Sequence, residues 1–147
     1  MSIRFFFAFL TLAAGVATAQ QAQLPVMELT AGMHRIEAEV AATQPARMTG
    51  LMQRKTMPAQ RGMLFVFSEV ERHCMWMRNS DLPLSVAFLD EKGRFLNIED
   101  MQPHTEDNHC ATKPARFALE MNLGWFKARG VGPGFGISGI NKVPAAR

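Results

Sequence analysis

Six consecutive residues, Gly62-Met63-Leu64-Phe65-Val66-Phe67, carry no polar side chain, and Arg61 and Ser68 close the run on either side. A run this short suits a strand better than a buried helix, and successive strand side chains leave to opposite faces. With apolar groups on both faces, the run predicts a strand covered on both sides. The rest of the chain must supply that cover.

The flanking segments read as further strands. His34 to Val40 alternates apolar and polar residues, the pattern of a half-buried strand. Thr43 is placed to cap a short helix, with Pro45 in its first turn and Arg47, Met48, Leu51 and Met52 following. Strands are expected over 73–78, 85–89, 95–99 and 115–121, with turns at Ser80–Pro83 and at Asp90–Gly93 and a short helical turn over 124–129. Residues 102–114 read as a long surface loop and 131–140 as a Gly-rich extended segment. The expected fold is mainly β: a compact antiparallel β-sandwich or barrel with one or two short helices. At 147 residues, 48% hydrophobic and 20% charged, the chain suits one globular domain.

Residues 1–19 place Arg4 before the apolar stretch Phe5–Leu10 and end on Ala17-Thr18-Ala19, the order of a secretory signal peptide cleaved after Ala19. About 15 apolar residues fall short of the roughly 20 that span a bilayer as a helix. The expectation is therefore a periplasmic or secreted protein without stable membrane insertion once the signal is cut. Its parts would be a flexible lead-in over 20–27, one domain over 28–140 and a tail over 141–147. The formal charge of +3 loses Arg4 with the signal, and the remaining charges alternate in sign without a Lys/Arg run. Nucleic acid is accordingly not an expected partner.

Cys74 and Cys110 are the only cysteines. In an oxidising compartment a disulfide between them is the leading reading, worth on the order of 4 kcal/mol by chain entropy. Free thiols or a metal site are the rivals, since each cysteine follows a histidine, His73 and His109. Neighbours on a strand point to opposite faces, however, which argues against one ion taking both. Met75 and Met77 would share a strand face, and with His73 they would suit a periplasmic copper-handling protein. Core packing is the competing role for such methionines. No metal and no cofactor is expected.

Regular alternation from Cys74 to Asn79 would turn Cys74, Trp76 and Arg78 outward, and His73, Met75, Met77 and Asn79 to the other face. In the later strand Arg116, Ala118 and Glu120 would form a polar face opposite Phe117, Leu119 and Met121. Arg78 and Glu120 would then meet across it, with the Glu pKa lowered by the Arg. Two readings follow: a solvated face with a structural ion pair, or a shallow ligand site built from Trp76, Arg78, Asn79 and Glu120, with Arg54 as a second cation. The nucleophile elbow, the phosphate-binding loop and the zinc-helix motif are all missing from the sequence.

Five ordered blocks resemble the domain of unknown function 192 family: Gly50-Leu51-Met52 with Arg54; Gly62–Phe65 with Phe67; Trp76–Ser80 with Pro83-Leu84; Phe88, Asp90 and Gly93; and Leu119-Glu120 with Gly124. The resemblance runs from about Glu28 to Ile140. It implies a small, β-rich, often exported domain and carries no established activity. The chain departs from the family pattern at Ser85, where many members have Asp, at Arg78 in place of Lys, and at Ser80 in place of Thr. The functional expectation is a periplasmic binding or interaction module for a small polar or glycan-like envelope ligand. The alternatives are a cell-envelope hydrolase or lyase using Glu120 with an Arg, and the copper-handling protein.

Overall fold

The computed structural model describes residues 23–147; the expected signal peptide and the first residues of the lead-in lie outside them. Among these residues nine strands, two short α-helices and a closing 3-10 turn follow in order: β1 Val26–Ala31, β2 His34–Ala41, α1 Gln44–Thr49, β3 Arg61–Glu71, β4 Cys74–Met75, β5 Leu84–Leu89, β6 Phe95–Met101, β7 His109–Cys110, β8 Ala115–Asn122, α2 Trp125–Ala128, β9 Ile137–Ser138 and the 3-10 turn Ile140–Lys142. The class is mainly β, as expected. Seven strands form one curled sheet in the order β6-β5-β8-β3-β2-β1-β9, and β4 and β7 pair as a separate ribbon.

The apolar run lies in β3, which pairs with β2 on one side and β8 on the other. Leu64 and Val66 enter one core with Phe117, Leu119, Trp125 and Phe126, while Met63 and Phe65 enter a second core on the opposite face with Met77, Val86 and Phe88. The first core is covered by α2 and the C-terminal segment. The second is covered by α1, its exit loop and the segment around β4. Gly62, which opens the run, has no room for a side chain: a Cβ there would collide with Met121 Sδ and the Glu120 carbonyl oxygen.

Three features differ from the expected outline. Strand β1 falls partly within the segment read as lead-in, and it pairs with β2 through a hairpin that turns at Gly32 with φ +59°. The β2–β3 pair is parallel, with α1 lying between the two strands in sequence. The strand expected over 73–78 shrinks to Cys74–Met75. Beyond it, Met77 N donates to Thr105 O at 3.2 Å and Met77 O accepts from His104 N at 3.0 Å, so the backbone bonds a loop rather than a strand ladder. Thr43 caps α1 as read, its hydroxyl accepting from Ala46 N. Among the described residues, no helix is long and apolar enough to cross a membrane.

Candidate functional site

Glu120 sits near the middle of the sheet, with Met63 of β3 and Val86 of β5 as its register partners. It is only 4% exposed, and it forms neither an ion pair nor a side-chain hydrogen bond among the described residues. A carboxylate largely withdrawn from water and without a counter-charge favours its neutral form. Burial therefore pushes the Glu120 carboxyl up to about 8. The lowered pKa and the partnership with Arg78 expected from the sequence do not occur.

The reason is the cover over this face. Ala118 is buried, and the Arg116 guanidinium swings to the irregular stretch of β3, where it donates to Phe67 O and Ser68 O and meets Glu91. What strand alternation presents as a solvated polar face is roofed by α1 and the β4 segment. Between roof and sheet lies a cleft of about 380 Å³, with Glu120 among its lining residues. Its apolar walls come from Met48, Leu51 and Met52 at the end of α1, Phe65 and Phe67 of β3, and Met75 and Trp76 at β4. Ser80 and Cys74 also line it.

Trp76 is 45% exposed, and the Arg78 guanidinium lies over its ring at 4.6 Å. Arg78 Nε in turn donates to Glu106 at 2.8 Å, so indole and guanidinium do come together as the alternation suggests. Asn79 does not lie on the methionine side. It is exposed in a turn, and its carbonyl accepts from Gln53 N. Arg54 is not a free second cation: its two terminal nitrogens each donate to Glu39 at 2.7 Å, across to β2. Of the five candidate ligand residues, only Trp76 and Glu120 line the main cleft; Arg54 lines a smaller neighbouring cavity.

Cys74 and Cys110 form the disulfide and face each other across the β4–β7 ribbon. Met77 is sealed in the second core while Met75 lines the cleft, so the two methionines do not present a common face to a metal. His73 stacks on Phe67, with ring centroids 3.7 Å apart. Ser85, one of the three departures from the family pattern, is a buried tie: its hydroxyl donates to Asp100 at 2.5 Å and accepts from Gly124 N at 2.8 Å.

Sequence reasoning singles out Trp76 and Glu120, which both line this cleft, but not the walls between them. The available signal was the apolar run itself, since Phe65 and Phe67 needed cover on the Glu120 side and the apolar side chains at the end of α1 are placed to give it.

Residues 27–139 match the family model DUF192, described as uncharacterized ACR. No curated protein matches the chain. Among solved structures, the chain is similar to a protein from Sinorhizobium meliloti 1021 described as a candidate transcription regulator. Identity is 31%, the TM-score is 0.77, and the match covers 81% of this chain and 97% of that one. It is also similar to a protein of unknown function from Novosphingobium aromaticivorans DSM 12444, at 29% identity and a TM-score of 0.77, covering 86% of this chain and 94% of that one.

Proposed function

The chain belongs to the DUF192 family, described as uncharacterized, and from that premise we propose that it is a binding module for a small molecule that enters the cleft beside Trp76. The observation that carries this reading is Glu120: a carboxyl 4% exposed, unpaired, and lining a cavity whose other walls are mostly apolar. Leaving such a group without a partner costs stability, and carboxyls perturbed by burial in a cleft cluster at functional sites. The cavity volume lies in the range of small-molecule sites, about 300–1,000 Å³, and a few polar groups among apolar walls are their usual composition. The apolar walls favour a ligand with a hydrocarbon body and one polar head over a flat glycan. Binding in the periplasm or outside the cell is part of the proposal, supported by the signal-like leader and by the Cys74–Cys110 bridge, which persists where the medium is oxidising.

A fragment screen read by nuclear magnetic resonance tests the reading. Hits should perturb Trp76 and the α1 exit, and Trp76→Ala should weaken them about tenfold while the circular dichroism spectrum stays unchanged. Hits that bind elsewhere, or that bind the Trp76→Ala protein equally well, overturn it.

One observation favours a second reading. A carboxyl with a pKa near 8 is protonated at neutral pH and is suited to general acid work, so a hydrolase or lyase using Glu120 is the alternative. The Arg partner expected for it drops out, because the one arginine lining the cleft, Arg47, spends its guanidinium on Ala42 O and Val66 O. Turnover of envelope fragments that vanishes in Glu120→Gln would establish that reading. The transcription-regulator description of the Sinorhizobium relative carries less weight here, since α1 and α2 span six and four residues and the sequence has no basic run.

A further inference from the structure

We propose that the occupant of this cleft is an organic cation: an ammonium head seated on Glu120, with an alkyl or aromatic body lying along Phe65, Phe67 and Met75. The inference rests on the reading of the cleft as a ligand site and names its ligand class.

Charge comes first. Besides Glu120, the ionisable side chain lining the cleft is Arg47, and it is already committed: Nη1 donates to Ala42 O at 2.7 Å and Val66 O at 3.0 Å, and Nη2 to the Arg147 carbonyl at 3.5 Å. On the sheet side, Glu120 is flanked by Met63 of β3 and Val86 of β5, which do not titrate. At the β4 side, Cys74 is held in the disulfide, His73 is stacked against Phe67 with Nε2 on Glu69 O, and Arg78 is held by Glu106. An anionic ligand would thus bring its charge into a cleft that has no uncommitted cation to receive it. A cationic ligand supplies the charge that Glu120 lacks.

The walls agree with that sign. Aromatic faces attract cations through the negative charge of the ring face, and thioethers are polarisable without being charged. Phe65, Phe67, Trp76, Met48, Met52 and Met75 offer both, together with apolar area for a hydrocarbon body. A neutral ligand could take only one hydrogen bond from the protonated carboxyl.

The proton balance makes the inference testable. In the free protein near neutral pH, the buried carboxyl holds its proton. When the ammonium docks, that proton leaves to water, the ligand keeps its own, and an ion pair forms. Binding therefore releases one proton at pH 6, and affinity should rise about tenfold per pH unit until the free carboxyl is itself ionised. An alkyl ammonium, with a pKa of about 10 like that of lysine, stays charged throughout.

Calorimetry on the purified protein with phenethylamine, 2-phenylethanol and 3-phenylpropanoate at pH 6, 7 and 8, in buffers of different ionisation enthalpy, reads this directly. The expected result is that phenethylamine binds best, tightens about tenfold from pH 6 to pH 7, and releases close to one proton at pH 6. Glu120→Gln should erase the pH dependence and weaken phenethylamine at least tenfold at pH 8. Trp76→Ala, changed at an exposed rim position, should weaken phenethylamine but keep the pH slope. If 2-phenylethanol or 3-phenylpropanoate binds in the cleft as well as the amine does, or if no proton is released, the cation assignment falls while the cleft remains a ligand site. If none of the three binds at millimolar concentration, both the assignment and the binding-module reading fall.

Discussion

Glu120 imposes a cost on the fold that its neighbours on β8 do not. Its folded-state pKa of about 8 lies above the ordinary value of 4.5, so between those limits the native protein holds a proton that the unfolded chain releases. By linkage, the stability associated with this group is fully present below about pH 4.5 and is lost as pH rises towards 8. Glu39 works in the opposite sense, because the hydrogen bond from Arg54 lowers its pKa. Its contribution is present above the ordinary carboxylate range and is lost as pH falls through the lowered value. Between pH 5 and pH 8 the Glu120 slope governs this pair. Denaturant melts should therefore show stability falling by a few kcal/mol across that window, because one proton of difference between native and unfolded chain is worth about 1.4 kcal/mol for each step of pH. Glu120→Gln should flatten the slope and leave the protein more stable than the parent at pH 8. A parent curve that rises with pH would contradict the buried, unpaired state of this carboxyl. Gly62 is the neighbouring pressure point. Its missing side chain lets β3 close on Met121 and the Glu120 backbone. Gly62→Ala should cost about 3 kcal/mol by overpacking and loosen the floor of the cleft, measurable as a lower denaturation midpoint.

At the level of elements, α1 and its exit loop form one wall of the cleft. The helix has only six residues, no buried side chain and one capping hydroxyl, from Thr43, so tertiary contacts must hold it in place. Two arginines supply them. Arg47 ties the helix to Ala42 O and Val66 O, and Arg54 clamps the exit loop to Glu39 through two bonds of 2.7 Å. Both partners of the clamp are largely shielded, with side-chain exposures of 23% and 13%. Arg54→Ala should thus cost about 1–3 kcal/mol, since it leaves Glu39 part-buried and uncompensated. Amide hydrogen exchange should show the loss of protection concentrated at 44–54 rather than across the sheet. These elements also show what periodicity can reveal. Strands β3, β5, β6 and β8 were legible because their apolar residues alternate or run continuously between clear turns. The stretch 73–78 alternates equally well, yet only two residues pair. Met77 N and O bond to Thr105 and His104, and a side-chain pattern carries no information about where backbone groups find partners. Strand β1 is hidden in the sequence because half of Val26–Ala31 is polar or exposed and it follows directly on a proline-containing lead-in. The parallel β2–β3 pairing went unread because a six-residue helix is a weak crossover signal.

Across the whole molecule, the two faces of the sheet are finished differently, and that difference makes a cleft possible. One face is closed by Trp125 and Phe126 of α2, packed edge to face with ring centroids 5.3 Å apart. The other is roofed by a flap made of 72–82 and 102–111, joined by the β4–β7 ribbon, its disulfide and a few loop bonds such as Ala111 N to His73 O at 2.8 Å. That asymmetry was only half legible. The cysteine pair signals the tether, and Trp76 and Glu120, both singled out in the sequence, line the cleft, but the roof between them depends on contacts distant in sequence. The bridge closes a segment that contains β5 and β6, which pair with each other, and β5 pairs with β8, independently of the flap. Its removal should consequently have two separable effects. The unfolded chain gains freedom, lowering global stability by about 4 kcal/mol in the chain-entropy model. The flap also loses its tether in the native state. Hydrogen exchange on the paired variant Cys74→Ala with Cys110→Ala should then show protection lost at 73–80 and 104–111 while the amides of β3, β5 and β8 stay slow, with ligand binding weakened because Trp76 is no longer held over the cleft. Uniform loss of protection across the sheet would mean that roof and sheet unfold as one unit, and that the cleft is a fixed part of the core rather than a space beneath a separately held cover.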